Sequence, residues 1–233
     1  MMSASNNHPG SAVPVITIDG PSGSGKGTIS QLLAARLGWH YLDSGALYRL
    51  VALAAVQKGV AMDDADGLAR LAIALDARFE VDGGDERILL DGEVVGSQLR
   101  SEATGAGASQ VAAIPAVRTA LLERQRAYRE PPGLVADGRD MGTVVFPAAV
   151  IKIFLTASAQ ARVDRRYKQL KEKGIDASLA GLSEDLAERD RRDSERDTSP
   201  LKPAADAVVV DSTLLEIPAC LDHCFEIVRQ RLP

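Results

Sequence analysis

Val13–Ser30 reads VPVITIDGPSGSGKGTIS, and the fold turns on it. A near-continuous apolar run, Val13–Ile18, ends at the loop Gly20-Pro21-Ser22-Gly23-Ser24-Gly25-Lys26-Gly27-Thr28, which opens into a helical pattern. An apolar run without polar alternation marks a strand buried on both faces. The loop glycines let the backbone curl until successive N–H groups point at one spot, and the following helix N-terminus adds partial positive charge. Lys26 brings a mobile full charge to the β- and γ-phosphates of a nucleotide. A plain strand-to-helix turn would not need a lysine behind a four-residue spacer with a glycine at each end. Gly27 follows Lys26 where a Ser or Thr ordinarily meets Mg²⁺, and Thr28 comes one place later. Contact between Thr28 and Mg²⁺ is therefore expected through water.

Outward from this loop, apolar runs alternate with helical patterns, which predicts an α/β domain built on a mainly parallel sheet. The candidate strands are Val13–Ile18, His40–Leu42, Leu134–Ala136, Val150–Leu155 and Ala207–Val210. The first, fourth and fifth read as buried on both sides. Helices are expected over Gly27–Leu37, Leu47–Lys58, Ala65–Leu75, Ser109–Tyr128, Ala159–Lys173, Leu182–Arg196 and Ile217–Arg231. Asp76–Leu99 breaks the alternation: Gly83-Gly84 and Asp91-Gly92 separate short β-type runs, which predicts a small three-stranded antiparallel insert over about 76–100.

Ligands of open α/β sheets bind along the carboxyl edge of the strands. LDSGALYR (Leu42–Arg49) and GRDMGTVVFP (Gly138–Pro147) follow the second and third strands, so both reach the edge that carries the phosphate loop. Arg49 and Arg139 bring guanidiniums suited to bidentate phosphate clamping. Ser44 has the alternative role of helix cap. Asp137, after the run Gly133-Leu-Val-Ala, suits the water shell of Mg²⁺ or a simple turn before Gly138.

Residues 158–196 are densely charged. Leu182, Leu186, Arg189, Asp193 and Arg196 follow 4-3-4-3 steps and share one helix face, which the leucines mark as inward. Charges continuing an inward face need partners or a polar site. On the preceding helix Val163, Tyr167 and Leu170 form the stripe, flanked by Arg162, Arg165 and Arg166. Two charged helices on a short linker, about 159–196, suit a mobile lid over ATP. As an exposed i, i+4 pair, Arg189 and Asp193 would add only ~0.3–0.5 kcal/mol of stability.

The motifs GPSGSGKGT, LDSGALYR, SQVAA (Ser109–Ala113), ADGRDMGTVVFP, ERDRRD and SPLKPAADAVVVDST resemble those of the bacterial cytidylate kinases from Val13 to about Arg231. The resemblance implies a P-loop kinase fold with a helical lid, ATP and Mg²⁺, and CMP or dCMP as acceptor. It implies that Ser44, Arg118, Asp140 and Arg196 read cytosine, and that Ser109, Arg189 and Asp193 hold the sugar. Arg49 and Arg139 would grip the acceptor phosphate, and Arg162 and Arg166 would serve transfer from the lid. The nucleophile would be an oxygen of the acceptor phosphate, whose second pKa of roughly 6 leaves it ionised at neutral pH without a general base.

Composition excludes other classes. A net charge of −5 supplies no field for polyanions, so the phosphate site must be local and nucleic acid is not an expected partner. A GTPase switch would carry Asn-Lys-x-Asp, and no such motif is present. A small-metabolite kinase would share the loop without needing a cytosine reader. Cys220 and Cys224 are too few for a disulfide framework or a four-ligand zinc site, even with His223 between them. MMSASNNHPGSA (1–12) has no signal-peptide pattern and reads as a disordered tail before a single domain, 13–233. No apolar run approaches the ~20 residues that span a bilayer. A cytoplasmic monomer is the expectation.

Overall fold

In the computed structural model, which describes residues 13–232 apart from 83, 84, 173 and 175, β1 (Val15–Asp19) is buried at every position. The expected tail, 1–12, and the Gly83-Gly84 turn lie outside the described residues. β1 sits centrally in a five-stranded sheet of order β2-β6-β1-β7-β8. Its companions β2 (His40–Asp43), β6 (Leu134–Gly138), β7 (Ile151–Thr156) and β8 (Val208–Asp211) all run parallel to their neighbours. All the carboxyl ends therefore emerge at one edge, with Asp19 in register beside Gly138 and Asp43 beside Asp137.

Side-chain alternation divides the core between the two faces. Ile16, Ile18, Val135 and Val210 pack with α1 (Lys26–Leu37) and α9 (Ile217–Arg229). Val15, Leu134 and Ala136 pack with α2 (Ser44–Lys58), α3 (Ala65–Ile73) and the helices before β6. β8 departs from the expectation of a strand buried on both sides: it is an edge strand, and Val209 is 58% exposed. Its apolar run reflects β-propensity as much as burial.

The insert forms the predicted antiparallel sheet, β3 (Ala77–Asp82), β4 (Asp85–Leu90) and β5 (Glu93–Val94). Asp91 and Gly92 link β4 to β5 with φ of 50° and 85°, the pairing of positive angles that a type I′ hairpin needs.

The single helix expected over Ser109–Tyr128 is corrected to two, α5 (Glu102–Val111) and α6 (Pro115–Arg126), preceded by the short α4 (Gly96–Leu99). Pro115 has no N–H to give and biases Ile114 away from helix, so it opens α6 and ends the earlier pattern. α5 begins seven residues earlier than read, capped by Ser101, which accepts from the Thr104 N–H. Gly105 and Gly107 lower its helix propensity and hide it. The charged helices form a hairpin, α7 (Ala159–Glu172) and α8 (Leu179–Glu195), joined by a small core of Val163, Leu170 and Leu182 with Tyr167 and Leu186 at its margin. The stripes read from the sequence are those that pack.

Candidate functional site

The phosphate loop leaves β1 at Gly20, where a Cβ would lie 2.0 Å from the Leu155 carbonyl oxygen, so only glycine fits. It enters α1 through Gly25, whose φ of 89° is left-handed. The loop carbonyls are held from behind. Arg162 Nη1 donates to Ser22 O at 3.0 Å, and Ser212 Oγ and Arg165 Nη1 donate to Ser24 O at 3.0 and 3.3 Å. With its oxygens so engaged, the loop keeps N–H groups for an anion. Lys26 Nζ donates to Pro21 O at 3.3 Å across the loop. Burial, then the nearby Arg139 guanidinium, push the Lys26 ammonium below the ordinary lysine range.

Beside the loop a cleft of about 540 Å³ is lined by residues of the phosphate loop and of the LDSGALYR, SQVAA, ADGRDMGTVVFP and ERDRRD segments. Ser44, Arg49, Ser109, Arg118, Arg139, Asp140, Arg189, Asp193 and Arg196, read from the sequence as substrate residues, all lie on its wall with Lys26, Asp137 and Arg166. Ser44 is not the cap of α2: Asp43 accepts the Ala46 N–H at 3.0 Å, which leaves the buried Ser44 hydroxyl facing Gly138. Arg49 Nη1 donates to Leu99 O at 2.9 Å. Arg118 is paired with Asp140, both buried, and also donates to Ala112 O at 3.2 Å. The Arg118 guanidinium lies 5.6 Å over the Tyr48 ring, which the sequence reading had not assigned to the site.

Asp193 is 4% exposed, not on an open helix face. Its oxygens accept from Ser109 Oγ at 3.1 Å and from Arg139 Nε at 2.8 Å, so its ion-pair partner is Arg139 rather than Arg189. Burial works to raise its pKa, but Arg139 and Arg189 outweigh burial and hold the carboxyl below the usual range. Burial, then Arg139, press Arg189 down to about 10, and burial lowers Arg49 and Arg196 as well. Arg189 Nε and Arg196 Nη2 are buried without a hydrogen-bond partner. The cleft therefore concentrates guanidiniums that repel one another and hold unspent donors, an arrangement that an anionic, hydroxyl-rich ligand relieves.

The two arginines at the root of the hairpin differ. Arg166 lines the cleft and pairs with Glu102 at the start of α5, so it bridges the hairpin to the cleft wall that α5 forms. Arg162 is buried against Ser22 and bonded to Asp190 at 2.6 Å, behind the phosphate loop rather than on the cleft wall. Glu102 carried no sequence signal, and Asp190 only its place within ERDRRD, because the role of each comes from a contact across the fold.

Asp137 is buried at the end of β6 and accepts from Tyr41 Oη at 2.7 Å. Burial, then the neighbouring Asp43, push its carboxyl above the usual range. A Cβ on Gly27 would lie 3.6 Å from Asp137 Oδ2, so this carboxylate abuts the start of α1 close to Thr28. Asp43 and Asp137 set two hard carboxylates side by side at the strand ends, a donor type that suits a hydrated divalent cation at the phosphates. Among the described residues no group of three or more His, Cys, Asp or Glu gathers as a metal site. Cys220 and Cys224 are free and buried on α9. Among the described residues no helix is long and apolar enough to cross a membrane.

A glycine-rich phosphate loop at the carboxyl edge of a parallel sheet, facing an arginine-lined cleft, defines a P-loop kinase. A family model described as cytidylate kinase matches residues 16–230. A cytidylate kinase of Pseudomonas paraeruginosa is 59% identical over 219 residues, covering 91% of this chain and 96% of that protein. One from Stutzerimonas stutzeri is 59% identical over 221 residues, 94% of this chain and 96% of that protein. One from Methylococcus capsulatus is 56% identical over 217 residues, 93% and 97% respectively. The chain belongs to the cytidylate kinase family.

Proposed function

We propose that this enzyme transfers the γ-phosphate of ATP to CMP and dCMP, giving CDP and dCDP. The observation that carries the reading is the cleft itself: Arg49, Arg118, Arg139, Arg189 and Arg196 converge beside the phosphate loop with two buried guanidinium nitrogens unpaired. Transfer between two polyanions needs alignment and charge compensation more than covalent chemistry. Loop N–H groups and Lys26 hold the ATP phosphates. Arg49 and Arg139 hold the acceptor phosphate, with Arg139 kept in place by Asp193. Ser44, Arg118, Asp140 and Arg196 meet cytosine, whose N4 amino group donates to a carboxylate. Ser109, Arg189 and Asp193 meet the sugar. Asp137, with Thr28 through water, would hold Mg²⁺, which when bound neutralises phosphate charge. Arg166 serves from the lid, and Arg162 supports the loop from behind it. Lid closure by the 159–196 hairpin would exclude water, which otherwise competes as acceptor. The family membership supports this reading, as does the co-location of every base, sugar and phosphate residue on one wall.

A coupled ADP-release assay across CMP, dCMP, UMP, AMP and GMP tests it. CMP and dCMP should be turned over with the highest kcat/KM. Equal turnover of AMP or GMP, or none on any monophosphate, would overturn the reading.

A further inference from the structure

Asp19 ends β1 and is 5% exposed, yet none of the steps above uses its carboxylate. Oδ1 accepts the backbone N–H of Met141 and Oδ2 that of Gly142, each at 2.8 Å. The two donors are successive peptide groups at the start of a π-type turn, Met141–Val145. In the sheet ladder the Asp19 backbone lies beside Gly138. One residue therefore holds both ends of the span Arg139-Asp140, the near end through the ladder and the far end through its side chain. The turn packs closely against the sheet at Gly142, where a Cβ would lie 2.8 Å from Thr17 Oγ1 and 3.1 Å from Lys152 Cδ. Between these fixed points Arg139 reaches Asp193 and Asp140 reaches Arg118. The same Asp19 leads directly into Gly20 of the phosphate loop.

We infer that Asp19 is a positioning residue that sets the register of Arg139 and Asp140 against the phosphate loop, and thereby the discrimination of cytosine from uracil. The inference rests on the acceptor roles proposed above. A carboxylate suits the task because two adjacent N–H groups need two acceptor oxygens in one plane. An asparagine offers one oxygen and turns its NH₂ against the other N–H. Burial raises the Asp19 pKa to about 6, with the two peptide bonds opposing the rise, so the acceptor form prevails at neutral pH.

Asp19→Asn tests the idea by a split in kinetic constants. KM for CMP should rise, and the CMP-to-UMP ratio of kcat/KM should fall, each by about tenfold or more, with KM for ATP changed by less than about twofold. A merely structural role would lower the melting temperature and the active fraction while leaving that ratio untouched, and this result would overturn the inference. An equal rise in KM for ATP would do the same. If the unmodified enzyme does not phosphorylate CMP, it is the functional reading that fails. A crystal structure of the unmodified enzyme with CMP gives a second test, independent of how the variant folds. Both Asp19 bonds should persist with Asp140 at the base. An ordered 139–142 turn with Asp19 released from it would sink the idea.

Discussion

Lys26 and Asp140 show how much one side chain carries at this edge. Burial and Arg139 press on the Lys26 ammonium, so its charge is most favourable when phosphate oxygens face it. Lys26→Met should leave the fold intact and lower kcat by about 100-fold or more, the scale for losing one preorganised donor to developing charge. A soluble variant with near-normal turnover in the coupled assay would remove that role. Asp140 is paired with Arg118, both buried, so Asp140→Ala would orphan a guanidinium and confuse base reading with folding. Asp140→Asn keeps the shape and exchanges one acceptor for a donor. It should lower kcat/KM on CMP and narrow the CMP-to-UMP ratio, by as much as ~10⁴ if the polar match is fully buried. Equal losses on both nucleotides would take base reading away from Asp140.

At the scale of the element, α8 is read from its face. The 4-3-4-3 spacing placed Arg189 and Asp193 on one face with Leu182 and Leu186, and in the fold the first two turn toward the cleft and the leucines toward the hairpin core. Arg196, read as part of the same face, lies just past the end of α8 in extended conformation and reaches the cleft from there. The small stability value expected of an exposed pair does not hold, because Asp193 is buried between Ser109 of α5 and Arg139 of the β6 edge. Asp193→Ala leaves those donors without an acceptor, which costs ~1–3 kcal/mol. A protein of this size should then melt roughly 3–10 °C lower in calorimetry. Asp193→Asn, still able to accept from Ser109, should melt closer to the unmodified protein yet lose tenfold or so in kcat on CMP, about 1.4 kcal/mol. 2′,3′-Dideoxy-CMP should be a poor acceptor and lose little further in that variant, as expected of groups sharing one contact. Independent, multiplying losses would break the link between Asp193 and a sugar hydroxyl.

Across the whole molecule, carboxylates raised by burial set activity against stability. A group whose folded pKa exceeds its unfolded value, ~4 for Asp, adds stability below the unfolded value and loses it as pH rises through the folded one. Asp137 is such a group, raised by burial and then by Asp43. Asp137→Asn should therefore gain melting temperature relative to the unmodified protein at about pH 8 and gain less, or nothing, at about pH 5. Activity should fall by about 100-fold or more, since a neutral amide cannot offset the charge of a hydrated cation. A variant less stable at the higher pH than at the lower, relative to the unmodified protein, would mean that Lys26 and Tyr41 outweigh the cost of burial.

Local chemistry made the phosphate loop, the parallel sheet, the antiparallel insert and the apolar stripes of the α7–α8 hairpin legible in the sequence. Each depends on spacing along the chain: glycines before Lys26, apolar runs of strand length, turn dipeptides, and a leucine stripe continued by charges. Most of the cleft wall was legible too, through Arg49, Arg139 and the α8 face at the ends of known elements, with the base and sugar roles implied only by family likeness. What the chain hides is everything set by contact across it. Pro115 divides two helices that periodicity had merged, because a fixed φ and a missing N–H outrank apolar spacing. Asp43, not Ser44, caps α2, since capping depends on dihedral angles that residue type alone leaves open. Burial turns Asp193 from a surface ion into the centre of a network, draws Arg162 and Arg165 behind the phosphate loop, and sets Asp19 under the turn that bears Arg139 and Asp140. Those partners lie 54 to 141 residues apart, so their geometry exists only once the sheet has brought its carboxyl ends to one edge.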